Sequence, residues 1–394
     1  MKPMKKILGL LLALCLIAGC TSAFAAGIPV EQVKIGYITI GDENEGYSAN
    51  HLNGLKEAQK ALGISDDQVL CKYNVPETEA AYEAAIDLAE QGCNIIFATS
   101  FGHESYLFQA AEEYPNIQFC HATGTAAMSS PLNNVHNYFY AVYESRYVSG
   151  VVAGMKLAQM IEDGTITADA AKIGYVGAFP FAEVISGFTS FFLGARSQCP
   201  SVTMEVRYTN SWADMALEKE TAEALIADGC VLISQHADTT GAPSACEAAG
   251  VPCVGYNISM LPVAPNTALT SAAGDWGAYV TYAVKCLIDG EEIDRDWCKG
   301  YAEGAVYTTE LNDSIVAPGT AEKVAELEAG FKAGTVKVFD TSAFTVNGET
   351  LTSYTTAYGL DGIEMVSDGE FHESSVRSAP YFDILIDGIT AVVE

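Results

Sequence analysis

The chain has few basic residues for its length. Only 20 lysines and arginines stand against 50 aspartates and glutamates in 394 residues, which gives a formal net charge of −30. Nucleic acids and anionic membrane surfaces are themselves negative, so this charge disfavours binding to either. We therefore expect no nucleic-acid partner, and we read most of the charge as a solubility feature.

Beyond the N-terminus the sequence lacks any apolar run long enough to span a bilayer. The apolar run 7–18 follows three lysines and is placed like the core of a signal peptide. It ends in LIAGC, which resembles a bacterial lipobox with Cys20 as the lipidated first residue of the mature protein. A rival cleavage pattern of small-x-small type lies at 23–25. We expect a signal peptide over 1–19 and contact with the membrane only through a lipid anchor on Cys20.

Familiar enzyme and metal motifs are also missing. The sequence has no G-x-S-x-G elbow, Walker loop, H-E-x-x-H pair or dinucleotide glycine fingerprint. The loop 41–46 is rich in glycine but acidic, so it would repel a pyrophosphate. His236 and Asp238 have the makings of half a catalytic triad or metal site, but no third partner is evident. Nine cysteines follow the leader without any C-x-x-C pair, which argues against zinc or a disulfide framework. We expect no enzyme, cofactor or metal.

The stretch 34–54 establishes the pattern of the chain. An apolar run at 35–40, rich in β-branched and aromatic residues, is typical of a buried strand. A polar turn follows, and then a helix with an apolar face. Open α/β sheets bind ligands in the loops that leave the carboxyl ends of their parallel strands. This loop is therefore predicted to form the first wall of a small-molecule cleft.

The same alternation recurs and predicts two doubly wound α/β lobes. A loop-like pause at 128–134 and a long helix at 144–161 separate the two series of strands. Small residues lie along one side of that helix. Predicted strands lie at 35–40, 68–74, 94–99, 117–121, 135–140, 172–176, 203–208, 231–234, 252–255 and 268–273. Predicted later helices lie at 77–91, 104–113, 184–197, 213–228, 241–249, 276–288 and 321–333. The tail from 338 contains strand-like pieces at 343–346 and 381–386, and is predicted to be a small β-rich C-terminal extension.

Several loops after predicted strands carry aromatic or hydrogen-bonding residues. Gathered at one edge of two sheets, such residues suit a flat polar ring, because ring faces stack on aromatics while ring nitrogens meet carboxylates and amides. Each residue also has a simpler interpretation. Phe179 and Phe181 resemble core residues, and Asp275 and Asp238 are suitably placed to cap helices. The convergence of these loops favours a binding site.

Short motifs in these loops resemble the basic membrane lipoprotein family of ABC-transporter solute-binding proteins, and most closely its purine-binding branch. The matching segments, collinear from about 33 to 333, are TSFG at 99–102, HATG at 121–124, ESRYVSG at 144–150, FPFAEVISG at 179–187, NSW at 210–212, QHAD at 235–238 and DWG at 275–277. The resemblance implies the type I periplasmic-binding-protein fold, in which two Rossmann-like lobes close about a hinge.

The resemblance also implies an organisation of the chain. The N-terminal lobe would comprise 31–142 and 274–296, and the C-terminal lobe 143–273 and 297–335, leaving 336–394 as an extension of unknown role. The three crossings between lobes are expected near 140–144, 270–274 and 293–297. The protein is then expected outside the cytoplasm, held by its lipid to the outer face of the bacterial cell membrane, as a monomer serving ABC permease subunits.

Carried over position by position, the resemblance implies eight contacts to a purine-like small-molecule ligand. They are Asn44, Tyr47, Phe101, Phe181, Trp212, Asp238, Asn257 and Asp275. The chain departs from the branch in its first loop, where Asn44 and Tyr47 stand in place of Asp and Trp. Ser259 replaces another usual Asp, and the lysine that wider-family nucleoside binders use has no clear counterpart. An Asp-to-Asn change alters the donor–acceptor pattern offered to a heterocycle, so the ligand is a different purine or another flat heterocycle.

Two alternatives remain open at this point. A sugar or other small polyol would use the same fold and also stacks on aromatics, although sugar sites tend to add charged clamps. An extracytoplasmic sensor subunit would need the same lobe closure as a transport protein, and only genomic neighbours or partners distinguish the two.

Overall fold

The structure of the protein is a computed structural model that describes residues 27–357 and 360–392. The predicted signal peptide 1–19, Cys20 and the rival cleavage site at 23–25 lie outside the described residues. The described chain folds into two parallel-stranded sheets flanked by helices, so the predicted α/β fold class is confirmed.

The first sheet has six strands in the order β11-β5-β4-β3-β1-β2, and all of its strand pairs are parallel. Residues of its central strands β1 and β3 are buried on both faces, which explains the continuous apolar runs in the sequence. The strands are β1 (Ile35–Ile38), β2 (Val69–Lys72), β3 (Ile95–Ala98), β4 (Gln118–Ala122), β5 (Val135–Tyr138) and β11 (Asp296–Trp297).

The second sheet has seven strands in the order β12-β10-β9-β8-β6-β7-β15. Its pairs are parallel except β10 with β12, which is antiparallel. The strands are β6 (Lys172–Gly177), β7 (Thr203–Tyr208), β8 (Leu232–His236), β9 (Cys253–Tyr256), β10 (Ala268–Gly274), β12 (Val306–Thr308) and β15 (Ile389–Val392). We call each sheet with the helices packed on it a lobe. The first ten strands agree with prediction, whereas β11 and β12 are too short for a sequence pattern to reveal.

The nine predicted α-helices are present in the described chain. They are α1 (Gly46–Leu62), α2 (Glu79–Glu90), α3 (Glu104–Glu113), α4 (Val142–Glu162), α5 (Ala182–Gln198), α6 (Met215–Ala227), α7 (Gly241–Ala249), α8 (Trp276–Asp289) and α9 (Thr320–Lys332). Capping side chains define several of their starts. Asp214 accepts hydrogen bonds from the backbone N–H groups of Ala216 and Leu217, and Asp275 accepts one from Gly277. No helix of the described chain has the length and apolar character that crossing a membrane requires.

Helices α4 and α5 pack unusually closely in the second lobe. A Cβ atom on Gly150 would lie 2.0 Å from the carbonyl oxygen of Phe191, and one on Gly194 would lie 2.1 Å from that of Tyr147. Gly154 faces Ala195 in the same way. The small residues predicted along one side of α4 therefore let the two backbones approach where any larger side chain would separate them.

The chain passes between the sheets at three places, and aromatic side chains gather there. The passages are 139–141 between β5 and α4, 274–275 between β10 and α8, and 298–305 between β11 and β12. The third lies later than the predicted 293–297. Trp276 stacks on His51 with ring centroids 3.9 Å apart, and its ring lies 4.2 Å from that of Tyr140. The predicted residue bounds of the two lobes stay a prediction.

The C-terminal extension differs from the expected pieces. Neither 343–346 nor 381–386 forms a regular strand, so those two predictions are wrong. Instead, β13 (Val366–Ser367) and β14 (Glu370–Phe371) make a short hairpin, and β15 joins the edge of the second sheet beside β7. Apolar side chains of the extension, including Phe339, Phe371 and Phe382, are buried in the main core. Alternation alone therefore failed to identify strands whose partner is distant in the sequence.

Candidate functional site

A cavity of about 360 Å³ lies between the carboxyl ends of the two sheets. Each lobe contributes five lining residues, and each of these ends a strand or follows one in a loop or helix start. The first lobe supplies Ile40, Tyr47, Ser100, Phe101 and Thr123, and the second supplies Glu183, Trp212, His236, Asp238 and Tyr256.

The structure brings most of the predicted contact residues together. Tyr47, Phe101, Trp212 and Asp238 line the cavity. Phe181 lies at its mouth, and Asn257 lies directly behind Asp238. These side chains come from both lobes, as the convergence of the loops predicted.

Two predicted contacts lie elsewhere. Asn44 is exposed and folds back on its own turn, where its backbone N–H and its side-chain amide both donate to Asp42 Oδ1 at 2.9 Å. Asp275 caps α8 by accepting from the backbone N–H of Gly277 at 2.7 Å, and it lines a separate open groove. The structure therefore assigns Asn44 to a turn and Asp275 to a helix cap, which is the simpler interpretation considered for it from sequence.

Aromatic rings from both lobes meet at the mouth of the cavity. The ring centroids of Phe101 and Phe181 lie 5.6 Å apart across the cleft, and Phe179 stacks on Phe181 at 5.1 Å. Trp212 packs edge-on against Phe179 at 5.1 Å. Phe101 and Phe181 are each 40% exposed, so they separate the cavity from solvent. This contact joins the two lobes across the cavity.

A buried network positions the loop that carries Phe101. Glu77 accepts hydrogen bonds from Ser100 Oγ and from the backbone N–H of Gly102, both at 2.7 Å. His121 Nε2 donates to the carbonyl oxygen of Ser100 at 2.7 Å. The two residues flanking Phe101 are thus fixed, and its ring is held toward the cleft.

Backbone strain accompanies the next loop of the first lobe. Thr123 has φ +66°, a left-handed conformation that is rare for a β-branched residue. Glu104 stabilises the turn that follows by accepting from the N–H groups of Thr125 and Ala126 and from the amide of Asn137. Thr123 Oγ1 has no hydrogen-bond partner within the described chain. A strained backbone conformation persists only where the surrounding fold holds it in place, and such residues cluster at ligand sites.

Asp238 is a buried acid among other acids. Asn257 Nδ2 donates to its Oδ1 at 2.8 Å, and its backbone N–H donates to the carbonyl oxygen of Trp212 at 2.9 Å. Burial, followed by the nearby carboxylates of Glu45, Glu218 and Glu183, raises the pKa of Asp238 well above its usual value. A ligand N–H group placed here would offset the cost of the buried charge.

Sequence reasoning did not select Glu183 or His236 as contacts. Glu183 Oε1 lies 3.5 Å from His236 Nε2. Burial raises the pKa of Glu183 to about 7, although the guanidinium of Arg146 opposes this shift. Burial, and then the charge of Arg146, lowers the pKa of His236 well below its usual value, so this imidazole is neutral. Glu183 lies two residues after Phe181 in the FPFAEVISG segment. Its place in that segment was the feature of the sequence that could have identified it as a lining residue.

Arg146 supports the cavity from behind without lining it. It is fully buried, donates from Nη1 to the carbonyl oxygen of Gln235 at 2.7 Å, and lies 3.7 Å from the centroid of the Tyr256 ring. No lysine or arginine is among the described residues that line the cavity. The site therefore offers ring faces, two carboxyl groups and a neutral imidazole, and it is unsuited to an anionic ligand.

Comparison with known sequences places the chain in a family. The profile described as ABC transporter substrate-binding protein PnrA-like (Bmp) matches residues 37–330, which is most of the chain. A purine-binding protein of Brucella abortus (strain 2308) is 33% identical over 311 residues, covering 78% of this chain and 83% of that protein. A Haloferax volcanii protein, named as a candidate ABC transporter glucose-binding protein, is 32% identical over 270 residues, covering 68% of this chain and 64% of that protein.

Solved structures show the same fold. An ABC transporter solute-binding protein from Aeropyrum pernix K1 superposes with a TM-score of 0.65 at 18% identity, over 78% of this chain and 93% of that one. One from Conexibacter woesei gives a TM-score of 0.59 at 20% identity, over 77% and 98% respectively.

Proposed function

The chain belongs to the Bmp family of PnrA-like ABC transporter substrate-binding proteins, and from this premise we propose that its ligand is a purine base or nucleoside. Members of this family bind small solutes outside the cytoplasm for membrane permeases and are not enzymes. The purine ligand, closure of the two lobes around it, the lipid anchor and the monomeric state are our proposals.

The cavity itself is the main support for a purine. Tyr47, Phe101, Trp212 and Tyr256 surround a space that also contains the carboxyl groups of Glu183 and Asp238. Flat rings gain most from aromatic neighbours, and carboxylates accept hydrogen bonds from ring and exocyclic N–H groups. An uncharged amino-substituted purine satisfies both requirements. A phosphorylated nucleotide would bring negative charge next to two buried acids.

A sugar is the second candidate, and the comparisons give it a specific reason. One relative at 32% identity is named as a candidate glucose-binding protein, whereas the relative at 33% identity is named as purine-binding. Identity therefore does not decide between them. The lining favours the purine, because the described residues around the cavity include no lysine or arginine to clamp sugar hydroxyls.

Transport and sensing require the same closure of the lobes. Family membership favours transport, with ABC permease subunits as the membrane partners. The lipobox at Cys20 supports attachment of the mature protein to the outer face of the cell membrane.

The ligand class can be tested by thermal denaturation of the protein lacking residues 1–19. We expect adenine or another amino-purine to raise Tm, because a ligand that binds only the folded state stabilises it by mass action. Adenosine monophosphate should give no shift. The panel should include guanine, hypoxanthine, adenosine and glucose, each at several concentrations. A shift with glucose and none with any purine would make the purine assignment wrong.

Replacing Trp212 with alanine should weaken ligand binding while the fold persists. Stacking on one base contributes roughly 1–3 kcal/mol, so Kd measured by calorimetry should rise about 5- to 150-fold. Tyr73→Ala is the matched control, because Tyr73 is an exposed aromatic residue that does not line the cavity. Equal Kd values for Trp212→Ala and the native protein would remove Trp212 from the binding site.

Replacing Cys20 with alanine should release the protein from the membrane, because no acyl chain can then be attached. The measurement is the distribution of the protein between membrane and soluble fractions of cells. Cys15→Ala, a change within the leader, should leave the protein membrane-bound. Membrane retention of a normally processed Cys20→Ala protein would contradict the lipid anchor.

A further inference from the structure

Besides Thr123, two neighbouring polar side chains of the cavity wall, Glu183 and His236, have no hydrogen-bond partner within the described chain. His236 is 1% exposed, and neither of its ring nitrogens has a hydrogen bond within the described chain. Glu183 also accepts none from described residues, since its 3.5 Å approach to His236 Nε2 is longer than a good hydrogen bond. The Glu183 side chain is 14% exposed, whereas the His236 ring is buried. Buried polar groups are normally satisfied, so the unpaired imidazole beside this carboxyl group points to a missing partner in the cavity.

The imidazole of His236 is held in a fixed orientation. Helix α5 approaches it so closely that a Cβ atom on Gly187 would lie 2.5 Å from Nδ1. On another side the ring of Tyr256 lies 4.8 Å away, and Arg146 Nη1 fixes the preceding carbonyl oxygen of Gln235. Packing therefore selects the ring orientation before any ligand binds, which is a requirement for discrimination between similar ligands.

We propose that Glu183 and His236 together read one hydrogen-bonding edge of the ligand ring and so determine which purine the cavity selects. This inference rests on the proposed purine function. Because the pKa of Glu183 is about 7, this carboxyl group is largely ionised at pH 8, the pH chosen for the measurements. The carboxylate then accepts from an exocyclic amino group, while the neutral imidazole donates to the adjacent ring nitrogen. A 6-amino purine presents this donor–acceptor pair. A 6-oxo purine presents an oxygen to the carboxylate instead, and repulsion between the two oxygens disfavours it.

The test is the ratio of the Kd values for adenine and hypoxanthine, measured by calorimetry for native protein and for Glu183→Gln. The amide can donate to a 6-oxo group, so the variant should shift this ratio toward hypoxanthine by about tenfold or more. His236→Gln should weaken both ligands. Glu43→Gln makes the same charge change on an exposed residue and should leave the ratio unaltered.

The outcomes separate a specificity role from a structural one. Loss of packing in Glu183→Gln would weaken both purines equally, so an unchanged ratio would overturn the assignment even if both Kd values rise. If the native protein binds none of the purine bases and nucleosides of the thermal-denaturation panel, the proposed function fails and this inference fails with it. If it binds purines and the ratio does not change, only this inference fails.

The C-terminal extension lies beyond the end of the family match at residue 330. The extension is joined firmly to the second lobe. Its strand β15 pairs with β7, and Arg196 of α5 donates to the carbonyl oxygens of Ala343 and Asp387. Glu373 is buried and accepts from Ser186 Oγ of α5 at 2.8 Å.

The same extension also bonds to the first sheet. Asp296 of β11 accepts from both the Oγ and the backbone N–H of Ser378, the former at 2.6 Å. Asp296 lies just before the third passage between the sheets, and Ser378 lies five residues from Glu373. A short segment is thus tied to one lobe through Glu373 and to the other through Ser378, beside the hinge and outside the cavity lining.

We infer that residues 373–378 act as a strap across the hinge, restricting opening of the lobes and thereby positioning the two halves of the binding site. Opening must stretch or break the Asp296–Ser378 bonds, or expose the buried carboxyl group of Glu373. Either change is unfavourable, because a buried charged or hydrogen-bonded group loses its partners. The strap therefore stabilises the closed form and slows release of the ligand.

Asp296→Ala tests the strap, and Asp340→Ala is the control because the Asp340 side chain accepts its hydrogen bonds from Ser342, within the extension. Without ligand, the Asp296→Ala protein should show a larger radius of gyration by small-angle X-ray scattering. Release of adenine, followed by intrinsic tryptophan fluorescence, should be several-fold faster. The scattering measurement needs no ligand, so it tests the strap whether or not the ligand is a purine.

If Asp296→Ala does not fold, Ser378→Ala removes one of the two bonds and should give a smaller change in the same direction. A radius of gyration and a release rate equal to those of the native protein, in a variant that unfolds cooperatively, would overturn the strap.

Discussion

The structure depends on the cost of burying carboxyl groups where two lobes meet. Asp238 and Glu183 lie in a cavity closed by aromatic rings, and both carboxyl groups have raised pKa values because burial disfavours their charged forms. A hydrogen bond from Asn257 offsets only part of the cost of burying the carboxyl group of Asp238. The closed cavity without ligand is therefore electrostatically unfavourable. In the proposed complex, N–H groups of the ligand would relieve that cost.

The rest of the molecule keeps this arrangement in place. Close contact of α4 with α5 makes the second lobe rigid, while Glu77 and Glu104 fix the first-lobe loops that carry Phe101 and Thr123. Aromatic contacts continue from the cavity to the hinge, because Tyr47 lines the cavity and packs edge-on against Trp276. The ligand site and the passages between lobes thus share one packed core.

The chain also shows how one fold accommodates different solutes. The two sheets and the crossing pattern resemble those of proteins only about a fifth identical in sequence, so the frame tolerates wide variation. Ligand choice depends instead on a few side chains at the strand ends. In this chain the strand ends supply the cavity with an aromatic mouth, two carboxyl groups and a neutral histidine. The C-terminal extension, 336–394, follows the end of the family match at residue 330 and adds contacts near the hinge.

The sequence by itself determined the order of strands and helices and several residues of the cavity lining. Apolar runs of strand length buried on both faces, separated by polar loops, are sufficient to predict two parallel sheets, and parallel sheets place those loops at one edge. Four of the contacts that the family resemblance implies lie in such loops and line the cavity: Tyr47, Phe101, Trp212 and Asp238.

Only the tertiary structure decided which loop residues turn inward and how the extension is used. Asn44 is satisfied by its own turn and Asp275 by its own helix, and such local hydrogen bonds compete with a role in the cavity. Glu183 faces inward because α5 begins beside His236, a relation between segments about fifty residues apart. Strand β15 pairs with a strand nearly two hundred residues earlier. Local pattern carries no information about such distant partners, because burial and pairing are properties of the assembled fold.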